Sequence, residues 1–274
     1  MSDKGAGSQP APTGAVRRQL ANSREDLLIE EAPLLLDIHG NQLLTMRTPG
    51  RDEDLVTGFL LAEGIVPNAA SIQGLAFAGA SEPNETPDTM RIELAAAPEG
   101  LAKARLARTH EVRSSCGVCG MTDPQSLLDD TVPLLPGVPK VARAKIQALT
   151  ATLVEQQPLF SLTGGCHGAL LANASGDVLA AGEDVGRHNA LDKAIGQAAR
   201  DGVSFAECVA VLSGRAGFDL VVKCLRLGIA VIVSVSAPSA LAFDLCHGTG
   251  ATLVGFARGE RFQVYCGAER LTAS

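Results

Sequence analysis

Residues 208–257 read CVAVLSGRAGFDLVVKCLRLGIAVIVSVSAPSALAFDLCHGTGATLVGFA, and this stretch decides the architecture. Three apolar runs of strand length, CVAVLSG (208–214), IAVIVSV (229–235) and ATLVGFA (251–257), alternate with two helical patterns, FDLVVKCLRLG (218–228) and PSALAFDLCHGTG (238–250). Each helical pattern closes on glycine, the usual left-handed stop. Strands apolar at every position leave no face for water, so they predict a parallel sheet with helices on both sides. The expected class is α/β.

Working outward, FSLTG (160–164) and GALLANASGDVLAAG (168–182) read as strands around an Asn-Ala-Ser-Gly-Asp turn, followed by a helix, GRHNALDKAIGQAARDG (186–202). RFQVY (261–265) closes the sheet, and a helix over about 141–155 opens this larger domain, 141–274. Residues 113–140 form a connector containing Pro124, Pro133, Pro136 and Pro139. Residues 24–112 read as a small α+β unit. In it LLLDI (34–38) and QLLTM (42–46) flank HGN as a hairpin, and RDEDLVTGFLLAEGIV (51–66) has helical spacing with Asp52 as its cap. MRIEL (90–94) and a further helix follow. Residues 1–23, rich in Gly, Ala, Pro and Ser, are expected to be a flexible tail.

Composition narrows the function. The chain has 274 residues, 46% hydrophobic, with no Trp, one Tyr and eight Phe, so its core must be aliphatic. The formal charge of −7 argues against a nucleic-acid partner. No apolar run reaches membrane-spanning length and the first residues lack a signal-peptide core, so no membrane association and a cytoplasmic location are expected. Seven scattered cysteines fit reduced thiols there.

Ligands of such sheets bind beyond the carboxyl ends of the strands. The loops there are GEDVGRHN, SGRAG, SAPS and FARGER, which bring Arg187, Arg215, Arg258 and Arg261 to one edge. Arginines and helix N-termini at one edge favour a phosphate-bearing ligand. No Walker A or G-x-G-x-x-G fingerprint is present, which disfavours an ordinary kinase or dehydrogenase. His188, next to Arg187, is either a ligand contact or a structural histidine. The adjacent pairs Cys166-His167 and Cys246-His247 receive no catalytic role.

RSSCGVCGMTD (113–123) supplies the most pointed chemistry, Cys116-Gly117-Val118-Cys119. Structural zinc needs about four ligands, and Cys166, His167 and His247 would have to complete the set. A dithiol redox pair expects a strand before it and a long helix after it, whereas the pattern after Pro124 is short. Sulfur carriage needs an exposed, mobile, partly ionised thiol, which Gly117, Gly120 and Arg113 favour.

Together RSSCGVCG (113–120), EDVGRHNALDKAIG (183–196), LSGRAGFDLVVKC (212–224), VSAPSALAFDL (235–245) and LVGFARGERFQVY (253–265) closely resemble the formate dehydrogenase accessory sulfurtransferase family. The resemblance runs from about residue 28 to the end. It implies a three-layer, cytidine-deaminase-like C-terminal domain with a mostly parallel sheet. It further implies a sulfurtransferase that takes persulfide sulfur from a cysteine desulfurase and supplies it to molybdenum bis(molybdopterin guanine dinucleotide) for formate dehydrogenase. Cys116 would carry the persulfide, with Cys119 beside it. Phe256, Ala257, Arg258, Gly259, Glu260 and Arg261 would bind the cofactor, and guanine nucleotides such as GDP would mimic part of it. A homodimer is the implied assembly, with no metal site of its own. The H-x-E and P-C-x-x-C ligands of zinc deaminases are missing, so deamination is not expected. The rival readings are a non-catalytic cofactor chaperone of formate dehydrogenase and a zinc-stabilised nucleotide binder.

Overall fold

The computed structural model describes residues 10–78, 87–109 and 131–273. The C-x-x-C loop, residues 79–86 (most of the polar stretch SEPNETPDT, 81–89, expected as a loop) and the short helical pattern after Pro124 lie outside the described residues.

The apolar runs form the centre of a six-stranded sheet. Its strands are β8 (His167–Ala172), β9 (Val178–Asp184), β10 (Val209–Leu212), β11 (Val231–Ser234), β12 (Thr252–Arg258) and β13 (Arg261–Cys266), in the order β13-β12-β11-β10-β8-β9. Every residue of β10 and β11 is buried. One face packs on α3 (Arg143–Glu155) through Ile146, Leu149 and Leu153. The other is covered by α5 (Arg187–Arg200), α6 (Phe218–Arg226) and α7 (Ala240–Thr249), whose Leu191, Ile195, Val221 and Leu245 share a cluster with Ala210 and Ile232.

The sheet is mixed rather than mostly parallel. Only β10–β11 and β11–β12 pair in parallel, whereas β8 is antiparallel to both neighbours and β13 is antiparallel to β12. The connections explain this: β8 reaches β9 through a tight turn at Asn173–Asp177, and β12 reaches β13 through Gly259 and Glu260, both too short for a parallel crossover.

The stretch FSLTG, expected as a strand, is instead α4 (Pro158–Thr163). Pro158 supplies the preset first-turn φ, Glu183 accepts from the Leu159 and Phe160 amides at 3.0 and 2.8 Å, and Gly164 ends the helix in the left-handed region.

In the N-terminal half, β3 (Ala32–Ile38) and β4 (Asn41–Arg47) form the expected hairpin. With β5 (Ile72–Ala78) and β6 (Asp88–Leu94) they make a four-stranded sheet, β4-β3-β6-β5. α2 (Gly100–Thr109) follows it. The expected tail is ordered from β1 (Ala15–Gln19), which pairs with β2 (Glu25–Ile29). α1 (Asp52–Ala62) has Arg51 as its N-cap, in the left-handed region. Asp52 is engaged elsewhere, taking two hydrogen bonds from the buried Arg47 guanidinium at 3.0 and 3.1 Å.

α1 crosses α5 at a backbone-to-backbone approach. A methyl on Gly58 would stand 1.8 Å from Asp192 O, and one on Gly196 would stand 1.8 Å from Asp54 O. Leu55, Leu60, Leu191 and Ile195 join one hydrophobic cluster across this crossing. A buried charge cluster adjoins it. Lys223 Nζ lies 2.9 Å from both Asp192 oxygens and 2.8 Å from Glu63 Oε1, over the Phe59 ring. Among the described residues no helix is long and apolar enough to cross a membrane.

Candidate functional site

The strand directions place the carboxyl ends of β9, β10, β11 and β12, and the amino end of β8, on one edge. A cleft of about 640 Å³ opens there. Val185 follows β9, Ser213 follows β10, Val235 follows β11, and Ala257 to Gly259 end β12, so all four loops singled out from the sequence contribute or adjoin. The opposite wall comes from α3 and α4 through Leu153, Val154, Gln157 and Phe160, with Gly164 and Gly165 at the exit of α4.

The 256–261 segment is shaped by an irregularity in pairing. The register between β12 and β13 shifts between Gly255 and Arg258, the signature of a bulge that re-aims side chains. Phe256 takes φ 50°, strained for a bulky residue, is held by the hydrogen bond its amide N–H donates to Ser236 O at 3.1 Å, and has 52% of its surface exposed. Ala257 is buried. Arg258 donates from Nε to Val235 O at 3.0 Å, which fixes its stem at the mouth of the cleft. Gln147 holds the turn by donating to Glu260 O at 2.7 Å. Of the six expected cofactor residues, Ala257, Arg258 and Gly259 line the cleft, and Phe256, Glu260 and Arg261 lie exposed on the same turn.

The remaining arginines divide. Arg187 pairs with Asp219 at 3.2 Å, and His188 also bonds Asp219. Burial alone would raise the Asp219 carboxyl; the His188 hydrogen bond and the charges of His188 and Arg187 outweigh it and hold the carboxyl below its ordinary value. His188 therefore has a structural partner within the fold. Arg215 is exposed and does not line the cleft.

Cys166 and His167 both line the cleft, although sequence reasoning gave them no role. Cys166 donates to Glu183 Oε1 at 3.3 Å, and burial, reinforced by Glu183, pushes its thiol up to about 12. It is therefore a poor nucleophile at neutral pH. His167 Nδ1 lies 3.3 Å from Ser213 Oγ. Burial, then the charges of Arg187 and His188, lower its pKa and keep the imidazole neutral. Gln157, 4% exposed, is a further lining residue that no motif announced. Among the described residues no three His, Cys, Asp or Glu side chains gather as a metal site, and His247 instead stacks on Phe243.

Comparison with known proteins agrees with the sequence resemblance. The model of the FdhD/NarQ family matches residues 29–272. "Sulfur carrier protein FdhD" from Anaeromyxobacter dehalogenans (strain 2CP-C) is 42% identical over 278 residues, covering 95% of each chain. The protein of that name from Nocardia farcinica is 42% identical over 95% of this chain and 91% of its own. A crystal structure from Desulfotalea psychrophila, described as a formate dehydrogenase accessory protein, superposes with a TM-score of 0.70 at 24% identity, over 94% of this chain and 97% of that one. Its likeness speaks for the fold. On the family match and these relatives, the chain belongs to the FdhD/NarQ family.

Proposed function

We propose that this chain is a cytoplasmic, homodimeric sulfur carrier: Cys116 takes sulfur from a cysteine desulfurase and passes it to the molybdenum bis(molybdopterin guanine dinucleotide) destined for formate dehydrogenase. The observation that carries this reading is the state of the other thiols. Burial pushes Cys208 and Cys224 up to about 12, as it does Cys166, and Cys246 is raised by its hydrogen bond with Cys266 and by burial. Cys266, lowered by that same bond, sits on β13 and does not line the cleft. The glycine-flanked pair Cys116 and Cys119 is left as the natural nucleophile.

Loading needs no outside oxidant. The Cys116 thiolate attacks the outer sulfur of the desulfurase persulfide, the donor S–S bond breaks, the desulfurase thiolate leaves, and Cys116–S–SH forms. For release, the Cys119 thiolate attacks Cys116 Sγ and expels hydrosulfide to the substrate cofactor. The sulfane sulfur gains two electrons and the two thiols become a disulfide, which a cellular dithiol reductant reopens.

The molybdenum cofactor is the substrate, and the cleft suits one nucleotide arm of it. Its volume of about 640 Å³ is that of a small-molecule site. Arg258 stands at its mouth for phosphate, and the exposed Phe256 ring offers a stacking face.

The test is incubation with a desulfurase and cysteine followed by intact-mass and peptide mapping. One added sulfur on the Cys116 peptide is expected, and none in Cys116→Ala. Full loading of that variant would move the acceptor elsewhere. Activation of formate dehydrogenase by a variant lacking both Cys116 and Cys119 would replace the carrier with a cofactor chaperone.

A further inference from the structure

Two thiols that the sulfur relay does not use are held against each other at the end of the sheet opposite the cleft. Cys246 lies in α7 and is 0% exposed; Cys266 ends β13, the edge strand, and is half-buried. Their approach is built by the pairing of β12 with β13. Val254 faces Val264, yet Leu253 faces Cys266, so Tyr265 is the extra residue of a bulge. Val264 packs in the cluster on the α3 side, whereas Tyr265 and Cys266 both pack in the cluster that holds Cys246. Without the bulge, strand alternation would turn Cys266 to the α3 side.

The backbone around the pair is tied down. α7 ends at Gly250 in the left-handed region, and the Ala251 amide donates to Cys246 O at 2.8 Å. The Ala251 carbonyl accepts from the Cys266 thiol at 3.5 Å. Gly267, at φ 69°, lets the following turn close on the same backbone. A methyl there would stand 2.3 Å from Ala251 O, and Thr252 Oγ1 donates to Gly267 O at 2.6 Å. One residue, Ala251, thus bonds both cysteines, and the two thiols are hydrogen-bonded to each other. That bond lowers the Cys266 thiol against its burial, with help from the Leu253 amide, and raises Cys246. Cys266 is the more readily ionised and more accessible member, and Cys246 is the buried one beside it.

We infer that Cys246 and Cys266 are a modification site, at which a small hydroperoxide oxidises the two thiols to a disulfide that staples α7 to the edge strand β13. The Cys266 thiolate attacks one oxygen of hydrogen peroxide and the O–O bond breaks. Hydroxide leaves, takes up a proton as water, and Cys266 becomes a sulfenic acid. The Cys246 sulfur then attacks Cys266 Sγ, the S–O bond breaks, and the oxygen departs with the thiol proton as a second water. The two thiols lose two electrons and two protons, and the peroxide is reduced to water. A dithiol reductant reverses the bond by exchange. Closing the loop between positions 246 and 266 constrains the unfolded chain, so the oxidised form is the more stable one.

The test maps disulfides in the full chain, as wild type and as Cys116→Ser/Cys119→Ser. Reduced protein is treated with hydrogen peroxide, quenched with catalase, alkylated after unfolding and digested with trypsin without reductant. The tryptic peptides 227–258 and 262–270 are expected to be joined through Cys246 and Cys266, apart from the 114–140 peptide that carries Cys116 and Cys119. The link is expected to open with dithiothreitol, and the oxidised protein to melt above the reduced one. Cys246→Ser is expected to stop at the sulfenic acid on Cys266, trapped by dimedone, and Cys266→Ser to give neither product. Absence of the linked peptide overturns the inference, whether the thiols stay free, Cys266 ends as an unlinked acid, or either cysteine links to Cys208 or Cys224 instead. If a serine variant melts lower before oxidation, the mapping on wild type decides alone.

Discussion

Replacing Lys223 by Met would remove, among the described residues, the one side-chain cation within hydrogen-bond reach of Asp192, at 2.9 Å. Methionine is unbranched and only one atom shorter, so the packing of the side-chain stem is largely retained while the ammonium over Phe59 is lost. What remains is a 2%-exposed carboxylate on α5 without its Lys223 partner, while Glu63 keeps Arg226 at 3.7 Å. Breaking one side of a buried pair costs about 3–5 kcal/mol. At about 2–4 °C per kcal/mol for a chain of this size, the melting temperature should fall by roughly 6–20 °C.

The sign of the pH dependence follows from Asp192. Burial raises its carboxyl even with Lys223 present, the Lys223 charge and hydrogen bond notwithstanding. A group whose folded pKa exceeds its unfolded value binds more protons when folded, so lowering the pH through that folded pKa adds stability. In Lys223→Met the folded pKa rises further, and the deficit relative to wild type should shrink between pH 8 and pH 5.5. Adding Asp192→Asn should recover part of the loss, giving a favourable coupling in a double-mutant cycle. The assay is thermal and urea unfolding of the four proteins at both pH values. A Lys223→Met loss below about 1 kcal/mol, equal at both pH values, would refute the claim that this cluster is a dry ion pair.

Two further outcomes can be checked directly. Gly196→Ala puts a methyl 1.8 Å from Asp54 O, a backbone atom that cannot rotate away, so α1 and α5 must separate at a cost of about 1–3 kcal/mol or more, read as a lowered melting temperature; an unchanged value would show that the crossing is loose. Cys166, with its thiol at about 12, should be alkylated by iodoacetamide far more slowly than Cys116 at pH 8, its rate climbing about tenfold per pH unit toward that value; equal rates at pH 8 would mean that Cys166 is open and ionised.

What could be read from the sequence followed from the range of the forces involved. β10, β11 and β12 were legible because burial on both faces writes an uninterrupted apolar run, and strand direction alone pointed to the edge where the cleft opens. α4 was misread because Phe160 and Thr163 suit a strand, while the group that fixes the helix start, Glu183, comes from more than twenty positions downstream. β1 was missed for a similar reason: five residues with one buried side chain gain order from pairing with β2, which composition does not reveal. The antiparallel ends of the sheet, by contrast, could have been inferred from the two short turns.

The cleft shows the same division more sharply. Arg258 belongs to a motif, and its direction toward the strand ends is a matter of topology. Gln157 belongs to none: a glutamine between two helices is expected on the surface, and nothing local separates it from its neighbour Gln156, which is exposed. Its place is set only by the fold, where Gly168 at the start of β8 leaves room for the carboxamide and Gln157 becomes part of the cleft wall.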